Sequence, residues 1–126
     1  MNPKHFIVPI GTKVKLSEYD PAYTGEFRAD TEAEALLQAD IKQLAKYQDI
    51  LYAQNTYALL IIFQAMDAAG KDGTIKHVLS GVNPQGVEVR SFKAPNDEER
   101  LHHFLWRSSK ALPARGRMTI FNRSYF

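Results

Sequence analysis

The segment AMDAAGKDG, residues 65–73, combines small residues with a lysine and two aspartates one residue after an apolar run. Aligned on Gly70 and Lys71, it approaches the phosphate-binding pattern G-x-x-x-x-G-K-[ST]. In that pattern, small residues let backbone N–H groups surround phosphate oxygens, and the lysine adds a positive charge at the transferred group. The segment predicts a phosphate-binding loop, although such residues after a strand can also form a plain polar turn.

Two positions depart from the pattern. Ala65 stands in place of the first glycine, and Asp72 follows the lysine where a magnesium-binding hydroxyl is expected. The loop carboxylates Asp67 and Asp72 are therefore the candidate ligands, because Mg²⁺ takes one or two carboxylate oxygens together with water and substrate phosphates. We expect Asp67 to hold the metal. The predicted phosphate-binding residues of the loop are Ala68, Ala69, Gly70, Lys71, Asp72, Gly73 and Thr74.

The helices that flank this loop are predicted from spacing and caps. Thr31 and Glu34 have the spacing of a capping box and predict a helix start. Asn96 is predicted to cap a later helix, and residues 74–79 show helical spacing between these two elements. The apolar stripe of the first helix is predicted to be Leu37, Ile41, Leu44, Tyr47 and Leu51. The apolar side of the last is predicted to be Leu101, Phe104, Leu105 and Leu112.

Three segments, residues 58–63, 87–92 and 118–121, are predicted to be strands. The first is continuously apolar, as in a strand covered on both faces, and we expect it to be a central strand. Strands that alternate with helices predict an α/β fold with a parallel sheet. Ligands of such sheets bind beyond the carboxyl ends of the strands, where residues 65–73 lie.

Composition limits the classes of function. The chain has 126 residues, 44% of them hydrophobic, and a net charge of +2, which argues against a diffuse nucleic-acid-binding surface. It contains no cysteine and no apolar run near the roughly 20 residues of a membrane helix. We expect a cytoplasmic protein with no nucleic-acid or membrane partner. Prolines and glycines predict an irregular arm over residues 1–30, followed by a core over residues 31–126.

Beyond the loop, further segments carry a family resemblance. AMDAAGKDGTIKHV, GVNPQGVEVRSFKAP, HHFLWR and IFNRSYF follow one another between about Leu44 and Phe126. In this order they resemble the amino-terminal part of the family-2 polyphosphate kinases. The resemblance implies a P-loop kinase-like core that transfers phosphoryl groups between inorganic polyphosphate and a nucleoside mono- or diphosphate, with magnesium. It also implies catalytic roles for Asp67 at the metal and for Lys71 and Arg123 at phosphate, and it implies that Asn122 and Arg123 together form a second phosphate-binding motif.

Other basic residues, and two departures from the family pattern, complete the candidate set. Arg90, Lys93, Arg115 and Arg117 are candidates for a positive track along a polyanion, or are plain surface charges. His103 stands where the family has an aspartate, and Phe126 where it has a tyrosine. We do not expect His102 and His103 to form a metal pair, because adjacent helical residues point about 100° apart.

The resemblance also sets what we expect of the whole protein. Family members continue beyond this point with a lid and further strands, so the 126 residues are expected to be a truncated core that binds without efficient transfer. The expected partners are polyphosphate and ADP, AMP or ATP, and we expect a homo-oligomer. Two alternatives stay open: an ATP-dependent nucleotide or small-metabolite kinase, and a non-catalytic module that binds polyanions or nucleotides.

Overall fold

The computed structural model describes residues 4, 7–25, 30–66 and 68–124. The chain divides into two compact units, residues 1–36 and 37–126. Within the first unit, the described residues include a short 3₁₀ helix, Leu16–Glu18, and the beginning of a long helix, α1 (Asp30–Gln54). Among the helices in the described ranges, none has the length and apolar content needed to cross a membrane.

Helices and strands alternate along the chain. The elements are α1 (Asp30–Gln54), β1 (Leu59–Phe63), α2 (Lys71–Val78), β2 (Val87–Ser91), α3 (Asp97–Arg100), α4 (Trp106–Lys110) and β3 (Met118–Asn122), with a 3₁₀ helix, Pro84–Gly86, before β2. The three strands form one parallel sheet in the order β1-β3-β2. The predicted α/β fold with a parallel sheet flanked by helices is confirmed, and each predicted strand lies within a residue of its observed position.

The central strand of this sheet is β3, not β1. All four residues from Met118 to Phe121 are buried, whereas Leu59 and Ile62 of β1 are exposed at the sheet edge. The prediction of a central β1 was wrong because a continuous apolar run does not report which strands lie on both sides of it. The core forms from Ile75 of α2 with Met118 and Ile120 of β3.

One residue of the predicted stripe on α1 faces solvent. Tyr47 is 59% exposed, while its neighbour Gln48 is 1% exposed. The Gln48 side-chain oxygen accepts a hydrogen bond from the backbone N–H of Asn83, at 3.3 Å, just before Pro84–Gly86. A polar residue therefore takes the inward position of this turn, because it meets a backbone donor there.

The single helix predicted after Asn96 is two short helices. Asn96 and Glu99 form a capping box at α3, as a cap at Asn96 predicts. The chain then turns through residues 101–105, where the Leu105 N–H donates to the His103 ring at 3.3 Å, a local bond that competes with helical pairing. The predicted apolar side is consequently exposed at Leu101, Phe104, Leu105 and Leu112.

Gly86 leaves no room for a side chain, and we expect Gly86→Ala to destabilise the protein by about 1–3 kcal/mol. A Cβ at this position would lie 1.8 Å from the Gln48 side-chain nitrogen. Moving the buried Gln48 amide would break its hydrogen bond with Asn83.

Gly73→Ala is the matched control for this prediction. A Cβ at Gly73 meets nothing within 4 Å, and alanine favours a helix over glycine by about 1 kcal/mol. Urea denaturation should therefore show opposite signs for the two variants. Equal stabilities would contradict the close approach of Gln48 to Gly86.

Candidate functional site

The carboxyl ends of the three strands meet at one edge of the sheet. Phe63, Ser91 and Asn122 are in register across it. Backbone hydrogen bonds continue past the ends of the strands. The Arg123 N–H donates to the Phe63 carbonyl at 2.9 Å, and the Phe92 N–H donates to the Asn122 carbonyl at 3.0 Å. The segments after β1, β2 and β3 are thereby held side by side.

The loop after β1 leads directly into the N-terminus of α2. Gly70 caps this helix with φ 78°, in the left-handed region that favours glycine. The first helical hydrogen bond runs from Thr74 N–H to the Gly70 carbonyl, at 2.9 Å. The preceding N–H groups of the first turn have no intrahelical acceptor, and the positive end of the helix dipole lies with them. This arrangement suits an anion.

Two adjoining cavities lie at this edge. The first, of about 250 Å³, is lined by residues 66 and 68–73 of the loop and by Arg123 from the end of β3. The second, of about 200 Å³, is lined by Lys71 and Asp72, by residues 91–93 after β2, and by Asn122 and Arg123. The structure thus brings Lys71, Asp72, Asn122 and Arg123 together from sequence positions about 50 residues apart.

Backbone strain coincides with the first cavity. Ala68 has φ 62° and Arg123 has φ 70°, and both residues line it. Residues other than glycine rarely adopt this region, and such conformations concentrate at functional sites. Asn55 is the other described non-glycine residue with positive φ, and asparagine tolerates it.

Lys71 and Asp72 are linked within the site. The Lys71 side chain is 9% exposed, and its Nζ lies 3.5 Å from Asp72 Oδ1. The Asn122 side-chain amide donates to the same oxygen at 2.5 Å. The bond from Asn122, followed by the charge of Lys71, holds the pKa of Asp72 below its usual value. The Asp72 carboxylate therefore stays ionised at neutral pH, and it is an exposed side chain among those that line the second cavity.

We expect Asn122→Ala to raise the pKa of Asp72 toward the ordinary value for aspartate, and by more than Lys71→Ala does. Because the pKa is lowered in the folded state, the contacts of Asp72 add to the stability of the fold at neutral pH. That stability is lost as the pH falls through the folded-state pKa of Asp72. NMR titration of the Asp72 carboxyl carbon measures the shift directly. An unchanged Asp72 pKa in Asn122→Ala would show that the amide does not hold the carboxylate.

Several predicted residues lie elsewhere or have other contacts. The Thr74 hydroxyl donates to the Gly70 carbonyl at 3.1 Å, and Thr74 lines neither cavity. Asp67 falls outside the described residues, as do Tyr125 and Phe126, so its metal role stays a prediction. Within the described ranges, no three His, Cys, Asp or Glu side chains group around a possible metal position.

The predicted basic track is divided between the two ends of the sheet. Lys93 lines the second cavity, and Arg90, paired with Glu88 at 2.6 Å, lines a larger cavity beside it. Arg115 and Arg117 instead precede β3, at its amino-terminal end, and the strand from Met118 to Asn122 that separates them from the site is about 13 Å long. Arg117 donates to the Gln85 carbonyl there. The structure does not bring these two arginines to the loop, because a parallel strand carries its two ends to opposite edges.

The two histidines of HHFLWR contact neighbouring residues. The His102 ring stacks on Trp106, with centroids 4.0 Å apart, and Lys110 Nζ lies 4.1 Å from the centroid of the same indole. The His103 ring accepts the Leu105 N–H. The hydrogen bond from Asn122 to Asp72, and the cavity that the loop shares with the residues after β2, had no signal in the sequence, because they involve segments distant along the chain.

The sequence matches known proteins over most of its length. The family model described as Polyphosphate kinase 2 (PPK2) matches residues 27–126. The chain is 49% identical over 123 residues to an ADP-polyphosphate phosphotransferase of Rhodopseudomonas palustris, covering 98% of this chain and 43% of that protein. It is 42% identical over 127 residues to an AMP/ADP-polyphosphate phosphotransferase of Meiothermus ruber, covering 98% and 46%.

A solved structure shows the same fold. The crystal structure of Polyphosphate Kinase 2 from Arthrobacter aurescens superposes with a TM-score of 0.84 at 41% identity, covering 92% of this chain and 43% of that one. The chain therefore spans less than half the length of these relatives. The match over residues 27–126 and the shared fold establish that the chain belongs to the polyphosphate kinase 2 family.

Proposed function

We propose that this chain forms the phosphate-binding part of a magnesium-dependent phosphotransferase that moves phosphoryl groups between inorganic polyphosphate and a nucleoside mono- or diphosphate. The observation that carries the proposal is the pair of adjoining cavities that share Lys71 and Arg123. Phosphoryl transfer asks a protein mainly to position the reacting groups and to stabilise charge on the transferred oxygens. Cations and free backbone N–H groups at one sheet edge supply these interactions.

The site residues have separate proposed roles. Lys71 and Arg123 bind phosphate oxygens, together with the loop backbone of Ala68, Ala69, Gly70, Asp72 and Gly73. Lys93 adds a positive charge to the second cavity. Asn122 orients Asp72 through its hydrogen bond. Two neighbouring cavities that share cations suit a chain of linked phosphates, since successive phosphate groups can occupy both.

The carboxylates of the loop fit a magnesium ion. Asp72 is exposed and its pKa is lowered, so one ionised carboxylate is accessible beside the phosphate cavities. Asp67 is the second proposed ligand, from its position in the loop sequence. Mg²⁺ often takes one or two carboxylates and completes its shell with water and phosphate oxygens. When bound, the ion would neutralise charge on the phosphate groups.

The names of the relatives all include polyphosphate, which supports it as one substrate, but they differ in the nucleotide. The nucleotides named are ADP, AMP/ADP and, for a protein of Mycolicibacterium smegmatis, GDP. We therefore propose a nucleoside mono- or diphosphate as the acceptor, with ATP as a product when ADP accepts. Assembly into a homo-oligomer stays a prediction.

Calorimetry with tripolyphosphate, inorganic phosphate and ATP tests the proposal on the 126-residue protein with Mg²⁺ present. We expect tripolyphosphate to bind more tightly than inorganic phosphate, because it reaches both cavities. A parallel assay measures ATP formed from ADP and polyphosphate by a longer protein, in which this chain is extended to the length of its relatives. Transfer from ATP but not from polyphosphate would instead identify an ATP-dependent kinase, and binding without transfer in that longer protein would identify a non-catalytic module.

A further inference from the structure

Arg107 of α4 lies outside both phosphate cavities but contacts the segment that borders one of them. Its Nη1 donates to the Lys93 carbonyl at 2.8 Å. Its Cζ lies 5.2 Å from the centroid of the Phe92 ring. The Arg107 side chain is 12% exposed, so these contacts are largely shielded from water. Arg107 therefore holds the residues that leave β2, which we call the β2 exit segment, residues 92–93.

Glu99 keeps the Arg107 guanidinium in this position. Its Oε2 lies 3.5 Å from Arg107 Nη1 and also accepts the Asn96 N–H at 2.9 Å. The Asn96 side chain in turn accepts the Glu99 N–H at 2.8 Å. The capping box of α3 thus fixes the carboxylate, and the carboxylate orients the arginine. Arg107 connects α3, α4 and the β2 exit segment.

The β2 exit segment forms one wall of the second phosphate cavity, through Phe92 and Lys93. The Phe92 ring meets the buried Phe121 ring edge-on, with centroids 4.8 Å apart and planes at 74°. Its N–H is bonded to the Asn122 carbonyl. A shift of the Lys93 backbone would consequently move the Lys93 ammonium group relative to Asn122 and Arg123 at the end of β3.

We propose that Arg107 is a positioning residue that sets Lys93 at the second cavity for a bound phosphate chain. This inference rests on the proposed function, since it gives Lys93 a phosphate group to contact. The task suits arginine because its Nη1 donates to the Lys93 carbonyl and lies near the Glu99 carboxylate while the flat guanidinium lies over the Phe92 ring. Lysine keeps the charge but lacks the flat guanidinium that makes all three contacts from one position. The sequence segment HHFLWR thereby gains a role for its last residue.

A double-mutant cycle on tripolyphosphate binding tests the inference. We expect Lys93→Ala to weaken binding about tenfold and Arg107→Lys about three- to tenfold. In the Lys93→Ala background, Arg107→Lys should change binding by less than about 1.5-fold, because the residue acts through Lys93. Arg100→Lys is the matched control, since Arg100 is an exposed α3 residue paired with Asp97 at 3.7 Å and lines neither phosphate cavity. It should bind as the unmodified protein does.

A merely structural role for Arg107 gives a different result. In that case, Arg107→Lys would weaken binding by the same factor with or without Lys93, and the inference would be overturned. If Arg107→Lys does not fold, Glu99→Gln asks the same question, because glutamine keeps an acceptor for Asn96 and loses the charge that orients Arg107. We expect Glu99→Gln to weaken binding about two- to threefold, again only when Lys93 is present. Failure of the unmodified protein to bind tripolyphosphate would overturn the proposed function and this inference together, whereas intact binding without coupling overturns the inference alone.

Discussion

Lys71→Ala is expected to weaken tripolyphosphate binding about 10- to 100-fold, the effect of losing a hydrogen bond between charged groups worth about 1.5–3 kcal/mol. Lys71 lines both cavities, and its ammonium group lies beside Asp72. The positive charge of Lys71 can therefore attract a phosphate group in either cavity. Calorimetry in the presence of Mg²⁺ measures the change in Kd.

Lys76→Ala is the control for this substitution. Lys76 lies on the same helix, is exposed and borders neither cavity. We expect its removal to change Kd by less than about twofold, because exposed charges at a distance are screened by salt. Thermal unfolding of both variants checks that the fold is kept. An unchanged Kd in Lys71→Ala would remove Lys71 from the phosphate site.

Ile120→Ala should lower the free energy of unfolding by about 2–5 kcal/mol, the largest stability effect that we predict. Ile120 is fully buried in β3, between β1 and β2, and packs with Ile75 and Met118. Truncation removes apolar contacts and leaves a cavity that the paired strands on either side cannot readily fill. Chemical denaturation of the 126-residue protein gives the value.

Ile62→Ala tests the position of the strands by comparison. Ile62 belongs to the edge strand β1 and is 50% exposed, so its truncation should cost less than about 1 kcal/mol. The same substitution thus has a large effect in one strand and a small one in its neighbour. A cost for Ile62→Ala as large as that for Ile120→Ala would contradict the order β1-β3-β2.

The sequence predicts the parts of this fold that depend on local patterns. Gly70 and Lys71 identify the loop because the phosphate pattern is contiguous, and Asn96 identifies the start of α3 because a cap acts within one turn. The strands are recognised for the same reason. These features follow from neighbours along the chain, so one sequence is sufficient to predict them.

Features that depend on distant partners could not be predicted. Tyr47 and Gln48 are adjacent on α1, and only the position of Asn83 shows that the polar side chain faces inward. The break between α3 and α4 likewise depends on a side-chain contact at His103 that helical periodicity does not report. The central place of β3 depends on pairing with both other strands.

The candidate site divides in the same way. Lys71 and Arg123 follow from two separate motifs, but their shared cavities follow from the register of β1 with β3. The basic residues Arg115 and Arg117 precede β3 and Arg123 follows it, and residue type alone does not separate the two ends of a strand. Arg107 had no predicted role, because its partner Lys93 is 14 residues away.

The most direct test of the central claim is an NMR titration of the isotope-labelled 126-residue protein with tripolyphosphate and Mg²⁺. We predict that the largest amide shifts occur at residues 68–73, 91–93 and 122–123, which border the two cavities. Amides near Arg115 and Arg117, at the opposite edge of the sheet, should move little. Shifts concentrated around Arg115 and Arg117, or no saturable shifts in the loop, would contradict a phosphate site at the carboxyl ends of the strands.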